Sequence, residues 1–410
     1  MPASAPFNFR HLAAALAVAR GGGISRAAQA MHLSQPALTQ GLARLEATLG
    51  ARLFVRSGQG TGLTPEGELF LPRIARAFEG LRAAERALPG APALHRHASA
   101  TQWRALAAMV EARSTAQAAR ALGMSQQSLH RALMGLEGLS ATPLFTRTRQ
   151  GLEPLPEARL LARAAGLAFA ELRQGAWGLR ELRGLMDGTI TIGALPLARS
   201  ALIPQAATAL LARYPELRLQ IIDGPYAELL HGLRHGHIDF IIGALRTPAP
   251  GPDIAQEEFF TEPLSIIVRP GHPALTAPPT AQSLARLGWV LPRQGTPARA
   301  IFTAFFTAAQ VAPPTQVIEC SSLVAARGLL LASDRAAIFS RSQVRFELAT
   351  GQLAALAAPL PGSARPIGLS LRRDFTPTRA QQACLAALRL AAADLAGDSP
   401  GMLEKRPHQP

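Results

Sequence analysis

Lysine occurs once in these 410 residues, against 41 arginines. Such a bias follows from genome base composition as readily as from function, so charge alone establishes a basic surface and no more. Cysteine is nearly as scarce. Cys320 and Cys384 stand 64 residues apart, which excludes a disulfide framework and a zinc site built on clustered Cys and His; both read as ordinary reduced thiols. Long apolar runs are missing too. Gly328–Ala332 and the alanine-rich Leu12–Ala19 fall far short of the roughly 18 to 20 residues that a bilayer span needs, so no transmembrane helix is expected. The opening MPASAPFNFRHLAAALAVARGGG resembles a secretory leader, but Arg20, Arg26 and an amphipathic continuation follow at once, and the expected location is cytoplasmic.

Catalytic signatures are also absent. There is no Gly-x-x-x-x-Gly-Lys, no Gly-x-Gly-x-x-Gly after a strand, no Gly-x-Ser-x-Gly elbow and no His-Glu-x-x-His. HGLRHGH sets His231 and His235 on one helix face with His237 nearby, yet no carboxylate or cysteine stands at matching spacing. Neither an enzyme nor a metal or other cofactor is expected.

What is present is apolar and basic. With 48% hydrophobic and 17% charged residues over this length, the chain buries real cores and holds two to four domains. Residues 1–187 carry 22 arginines against 12 acidic residues, whereas residues 188–410 carry 20 basic residues against 15. The excess in the first half suits a polyanion such as DNA.

That half contains a repeat. AAQAMHLSQPALTQGLARLE at residues 27–46 returns as AARALGMSQQSLHRALMGLE at 118–137, 91 residues later. In the first copy Ile24 to Met31 reads as a short helix and His32-Leu33 as a turn. Ser34 caps a second helix with Leu38, Leu42, Leu45 and Leu49 on its apolar face. This helix-turn-helix pattern leaves Ser34, Gln35, Pro36, Ala37, Thr39, Gln40 and Arg44 as candidates to face DNA. ARLFVRSGQGTGLTPEG follows. Leu53-Phe54 reads as a strand, Gly58, Gly60 and Gly62 as the turn of a wing beside Arg56, a further candidate to face DNA, and Thr64-Pro65-Glu66 as a capped helix start.

The ordered set of Ala-Ala helix, Ser-Gln-Pro-Ala-Leu helix, Leu-Glu, Leu-Phe-x-Arg and Leu-Thr-Pro-Glu-Gly, ungapped from about Leu12 to Gly67, closely resembles the winged helix of LysR-type transcriptional regulators. The second copy keeps the frame from residue 118 to 157 but changes the reading face: Pro36, Ala37, Thr39 and Gln40 become Gln127, Ser128, His130 and Arg131. Gln126, Gln127, His130, Arg131 and Arg147 are its candidate DNA contacts. Erosion at Ser140-Ala141 and Pro154-Leu155 leaves open a second reading, a duplicated domain kept for packing or dimerisation.

Each copy leads into a long amphipathic helix. Phe70, Ile74, Ala77, Leu81, Ala84 and Leu88 form one seam; Leu161, Ala165, Ala168, Leu172, Gly175, Leu179, Leu182 and Met186 form the other. The resemblance implies that such a linker helix pairs two subunits, and the second, adjoining the C-terminal domain, is the expected dimer helix. PGAPALHRH at 89–97 reads as a connector.

From Gly188 strands and helices alternate as in a parallel α/β sheet: strands near 189–193, 218–222, 238–242, 264–268, 289–291, 316–319, 336–339 and 367–371. GTITIGALPLARSALIPQ, Gly236-x-Ile238-Asp239 and Gly351-x-Leu353 resemble the effector domain of the same family, two α/β lobes like a periplasmic binding protein. Ligands of open α/β sheets sit beyond the carboxyl ends of the strands. The candidate effector residues there are Ser200, Arg246, Arg293, Thr296, Ser321 and Ser322, the arginines suiting a carboxylate or phosphate; Asp239 is expected to hold a hinge.

The expected organisation is a multidomain chain of mainly α winged helix-turn-helix domains in two copies with linker helices, followed by a two-lobed α/β periplasmic-binding-protein-like domain. The boundaries are 1–67 for the DNA-binding domain, 68–95 for the first linker helix and connector, 96–157 for the diverged unit, 158–187 for the linker helix, 188–396 for the effector domain and 397–410 for a floppy tail. The implied function is a homodimeric or homotetrameric regulator that binds double-stranded promoter DNA under control of a small-molecule effector, with no membrane partner. The alternative is a small-molecule sensor whose winged helices serve protein contacts.

Overall fold

The computed structural model describes residues 7–57, 60–90, 92–112, 114–149, 151–358 and 360–397. The floppy tail expected from 397 onward thus lies outside the described residues, apart from Gly397. The first unit comprises α1 (Phe9–Gly21), α2 (Ile24–Ala30), α3 (Gln35–Leu49), β1 (Phe54–Ser57), β2 (Gly60–Leu63) and α4 (Pro65–Arg86). After α5 (Leu94–His97), the second unit repeats the order with α6 (Ala100–Glu111), α7 (Thr115–Leu122), α8 (Gln126–Ser140), β3 (Phe145–Thr148), β4 (Gly151–Pro154) and α9 (Pro156–Leu182).

Local chemistry explains why the frame survives. Glu46 closes α3 onto the wing by accepting the N–H groups of Leu53 (2.7 Å) and Phe54 (3.3 Å); Glu137 accepts those of Leu144 and Phe145 at the same two distances. The repeated Leu-Glu is therefore a packing and hydrogen-bonding device. At the end of α3 the left-handed turn falls on Gly50, whereas α8 turns on Ala141 at φ 52°. Compensation comes from Ser140, whose buried hydroxyl lies between the carbonyls of Glu137 (2.9 Å) and Thr142 (2.7 Å). The erosion in sequence leaves the local fold intact.

The connector is pinned. The carboxylate of Glu85 accepts the backbone N–H of His95 and meets its imidazole Nδ1, both at 2.5 Å, and Leu94 is buried.

The two long helices meet inside one chain. Leu69 abuts Gly178, Phe70 abuts Gly175, Arg73 bonds to Gln174 (3.0 Å) and Glu171 (3.2 Å), and Arg76 pairs with Glu171 (3.0 Å). Rising numbers on α4 meet falling numbers on α9, so the crossing is antiparallel. Its middle holds Phe78 and its repeat counterpart Phe169, bridged by Phe9 at ring-centroid distances of 5.8 and 5.7 Å. A single apolar core spans both units. The helix expected to pair two subunits is thus covered along this stretch by α4 of its own chain.

The C-terminal part has two lobes. Lobe I contains β5 (Thr189–Ala194), α10 (Pro196–Ser200), α11 (Leu202–Arg213), β6 (Arg218–Asp223), α12 (Tyr226–Arg234), β7 (Phe240–Ala244) and β8 (Ile254–Glu262). Lobe II contains β9 (Leu264–Val268), α13 (Ala281–Ala285), β10 (Gly288–Leu291), α14 (Pro297–Ala308), β11 (Val317–Glu319), α15 (Leu323–Leu331), β12 (Arg335–Ser340), α16 (Arg345–Ala349) and β13 (Ala354–Ala355). The chain then returns to lobe I through β14 (Arg365–Arg372) and α17 (Arg379–Gly397). The sheet orders are β6-β5-β7-β14-β8 and β11-β10-β12-β9-β13. Both are mixed, not parallel as expected: β14 runs antiparallel to β7 and β8, and β9 to β12, because the chain crosses between lobes twice.

Helix α9 also carries lobe I. Gln174 donates to Asp239 (3.2 Å), whose other oxygen accepts the Thr191 N–H (2.8 Å), and Glu181 accepts the N–H groups of Arg379 (2.8 Å) and Ala380 (3.2 Å) at the start of α17. Asp239 thus anchors the lobe to the linker helix. Cys384 lies on the buried face of α17, and that burial, reinforced by Asp239, pushes its thiol up to about 12; Cys320 is half-buried, and both are free.

Two outcomes follow. A Cβ at Gly175 would lie 2.7 Å from the Phe70 ring, whereas one at exposed Gly80 meets nothing within 4 Å. Gly175→Val is expected to lower stability by about 1–3 kcal/mol and Gly80→Ala to raise it by roughly 0.5–1 kcal/mol, read by urea unfolding. In a thiol-reagent titration of native protein near neutral pH, Cys320 should react and Cys384 only after unfolding; rapid reaction of both would contradict this burial.

Candidate DNA interface and effector cleft

The candidates of the first unit at Ser34 and along α3 share one surface. The Ser34 hydroxyl accepts the Ala37 N–H (3.3 Å) and so caps α3. Its first turns then present Gln35, Pro36, Ala37, Thr39 and Gln40 along a shallow open recess that also includes Ala43, with Arg44 exposed beside it. The Thr39 hydroxyl donates its one proton to the Gln35 carbonyl (2.9 Å), which leaves its oxygen free to accept only. No acidic side chain lies in this stretch, and free N–H groups at the helix start add positive potential. Arg56 lies on β1, and its side chain is outside the described residues.

In the second unit Gln126, Gln127, His130, Arg131 and Arg147 are all exposed. Ser125 caps α8 by accepting the Ser128 N–H (3.1 Å), and Arg131 leans on the Ser128 hydroxyl (3.4 Å). Arg147 projects from β3 of the wing. The second face is therefore also exposed, and it carries His130 and Arg131 where the first has Thr39 and Gln40.

The effector candidates divide between the lobes, at the carboxyl edges of their parallel strands. Ser200 ends α10, and Arg246 follows β7. In lobe II, Arg293 is exposed ahead of α14, while the Thr296 hydroxyl caps that helix through the Arg299 N–H (3.3 Å) and donates to the Arg293 carbonyl (2.8 Å). Ser322 caps α15 through the Ala325 N–H (3.3 Å), and Ser321 beside it is exposed. Two of the four hydroxyls thus hold helix starts. Contact between the lobes runs through α10, which packs against the turn at Arg341–Val344.

Three residues at the junction were not among the sequence candidates. The Arg246 guanidinium lies 3.9 Å from the Tyr226 ring centroid, and the buried Tyr226 hydroxyl has no hydrogen-bond partner among the described residues. Arg365 donates to the Ser340 hydroxyl (2.6 Å), while its Nε is buried without a partner among the described residues. Glu262 spans the lobes by accepting the N–H (2.8 Å) and hydroxyl (2.6 Å) of Ser342. Burial lowers the pKa of Arg246 and of Arg365; Glu262 opposes the shift at Arg365 and the nearby Arg246 adds to it. Burial raises that of the Tyr226 phenol, against Arg246 and Arg234. The junction thus holds two neighbouring guanidinium groups and two buried polar atoms without partners. Tyr226, at the start of α12, and Arg365, just ahead of the strand expected near 367–371, carried no local signal of this convergence.

Among the described residues no helix is long and apolar enough to cross a membrane. Residues 183–393 match the model of the LysR substrate binding domain, and residues 9–68 and again 100–159 match that of the bacterial regulatory helix-turn-helix protein, lysR family. The chain is 35% identical over 390 residues to HTH-type transcriptional regulator GalR of Pseudomonas putida, covering 93% of this chain and 96% of that protein, so the similarity runs through both winged-helix units. It is 29% identical to HTH-type transcriptional regulator GbpR of Azospirillum brasilense, over 70% of this chain and 84% of that protein. Its fold is similar to a full-length OxyR variant from Pseudomonas aeruginosa, with a TM-score of 0.54, 22% identity, and coverage of 72% of this chain and 95% of that one. It is also similar to full-length CbnR complexed with its target DNA, with a TM-score of 0.50, 19% identity, and coverage of 71% and 98%. A substrate-binding match over more than half of the chain, preceded by two helix-turn-helix matches, makes this chain a member of the LysR family, a DNA-binding transcriptional regulator with an effector-binding domain and not an enzyme.

Proposed function

We propose that one chain is a complete two-headed reader of promoter DNA, that both α3 and α8 contact bases, and that an anionic small molecule between the lobes controls their arrangement in the cytoplasm. The observation carrying the first part is the pairing of α4 with α9, which joins two exposed recognition helices into one body.

That pairing is specific for unlike partners. The repeat counterpart of Arg73 is Ala164, and those of Glu171 and Gln174 are Gly80 and Ala83. An α4–α4 contact between two chains would set Arg73 against Gly80 and Ala83, and an α9–α9 contact would set Glu171 against Ala164. Only the unlike pair satisfies the buried Arg73, and leaving such a charge unpaired costs about 3–5 kcal/mol. Because the reading faces differ, the operator should be asymmetric. A homodimer of such chains would bring four units to DNA, as many as four chains with one unit each.

Support for an anion comes from the proximity of Arg246 and Arg365 and from the unpartnered Arg365 Nε and Tyr226 hydroxyl. A carboxylate or phosphate there would relieve the repulsion between the two guanidinium groups. Differential affinity of such a ligand for two lobe arrangements would reach the DNA-binding units through Asp239, Gln174 and Arg73.

Gln35→Ala should alter base preference in one half of the footprint only. Arg131→Ala should change the other half and lower the magnitude of the salt slope of binding by about one if it contacts phosphate; an unchanged footprint and slope would make the second unit a scaffold, and absence of DNA binding by the native chain would favour protein contacts. In a thermal-shift screen of carboxylates and phosphates, a stabilising anion should bind Arg246→Ala and Arg365→Ala about 10- to 100-fold more weakly; stabilisation only by uncharged compounds would overturn the anionic assignment.

A further inference from the structure

The histidine group that lacked a partner in the sequence acquires one in the fold. Glu111 is the last residue of α6, in the second winged-helix unit, and its Oε1 lies 2.7 Å from Nε2 of His231 in the last turn of α12, in lobe I. His235, one turn further on, stacks its ring on that of His231 with centroids 3.8 Å apart and an interplanar angle of 26°. One ligating atom from each of Glu111, His231 and His235 lies within 4.8 Å of the other two.

We propose that Glu111, His231 and His235 form a site for a divalent first-row transition metal ion, of the zinc, nickel or cobalt class, that clips the second winged-helix unit to lobe I. Two imidazoles four residues apart on one face, with a carboxylate opposite, are a borderline-soft ligand set that suits these ions over magnesium or calcium, and water would complete the coordination. Bonds of about 2.0–2.2 Å put neighbouring ligand atoms under about 4 Å apart, so side-chain rotations suffice to close the site, and Glu111 and His231 are exposed enough to make them. The ring of His235 is already oriented: its Nδ1 bonds to the His231 carbonyl (2.9 Å), which leaves the Nε2 lone pair for a cation.

The backbone beneath is held firmly. A Cβ at Gly166 of α9 would lie 2.4 Å from the His235 carbonyl oxygen, and Arg173 donates to the Gly236 carbonyl (3.1 Å). Ligands presented from two rigid elements lose little freedom on binding an ion. The ion would replace the Glu111–His231 contact with a bridge across the boundary between DNA-binding and effector parts, bonded to Glu111 on one side and to His231 and His235 on the other. Lobe I would then be tethered to the second reading head independently of any effector.

The test is isothermal titration of Zn²⁺ alone into the untagged full-length chain, with Co²⁺ as a spectroscopic substitute. One ion per chain is expected at micromolar affinity or tighter, with a rise in melting temperature that chelator reverses. Glu111→Gln, His231→Asn and His235→Asn should each weaken binding by about 10- to 100-fold, at least the cost of losing a supporting contact to a ligand, and should abolish the metal-dependent rise in melting temperature while folding without metal as the native chain does. Bound Co²⁺ should show visible ligand-field bands without the thiolate charge-transfer absorption that Cys320 would add. Absence of binding, binding that survives all three substitutions, or a thiolate signal would overturn the site and leave Glu111–His231 as a hydrogen bond alone.

Discussion

The antiparallel contact of α4 with α9 is the constraint on which the rest of the molecule depends. One face of α9 receives α4 and its buried Arg73, and other positions hold Asp239, the start of α17 and the loop at Gly236. Both winged helices and lobe I are therefore referenced to one helix. Small residues make this possible: Gly166, Gly175 and Gly178 sit where any Cβ would strike a neighbour within 3 Å. Helix propensity is sacrificed at three points for close approach on two sides.

Much of this was legible in the sequence because it is local. The caps at Ser34 and Thr64, the Leu-Glu that closes each wing and the leucine faces of α3 and α8 all act over a few residues, so their spacing survives in a linear reading. The duplication was legible for the same reason, since fold-defining positions recur at a fixed offset.

What escaped the reading depends on distant partners. The long strand IAQEEFFTE of β8 lies at a sheet edge with a register irregularity against β14, and its run of polar residues hides the alternation. The connector at 89–97 reads as a loop, but Glu85 turns it into a fixed corner. Seams on α4 and α9 were visible, yet a seam does not reveal whether its partner is another chain or its own; that is decided by unlike residues, Arg73 against Glu171 and Gln174. Glu111 and His231 are 120 residues apart, and no spacing rule joins them. The convergence of Tyr226, Arg246 and Arg365 likewise exists only once the chain has crossed between lobes twice.

Covalent linkage of the two winged helices also changes how the reader responds to dilution. A contact between separate subunits loses occupancy as protein concentration falls, because association is set by mass action. The α4–α9 contact is intramolecular, so its effective concentration is fixed by the chain and not by the number of molecules in the cell. The paired winged-helix units therefore persist when the regulator is present in very few copies, and any concentration dependence of promoter occupancy must arise at a later step than the pairing itself.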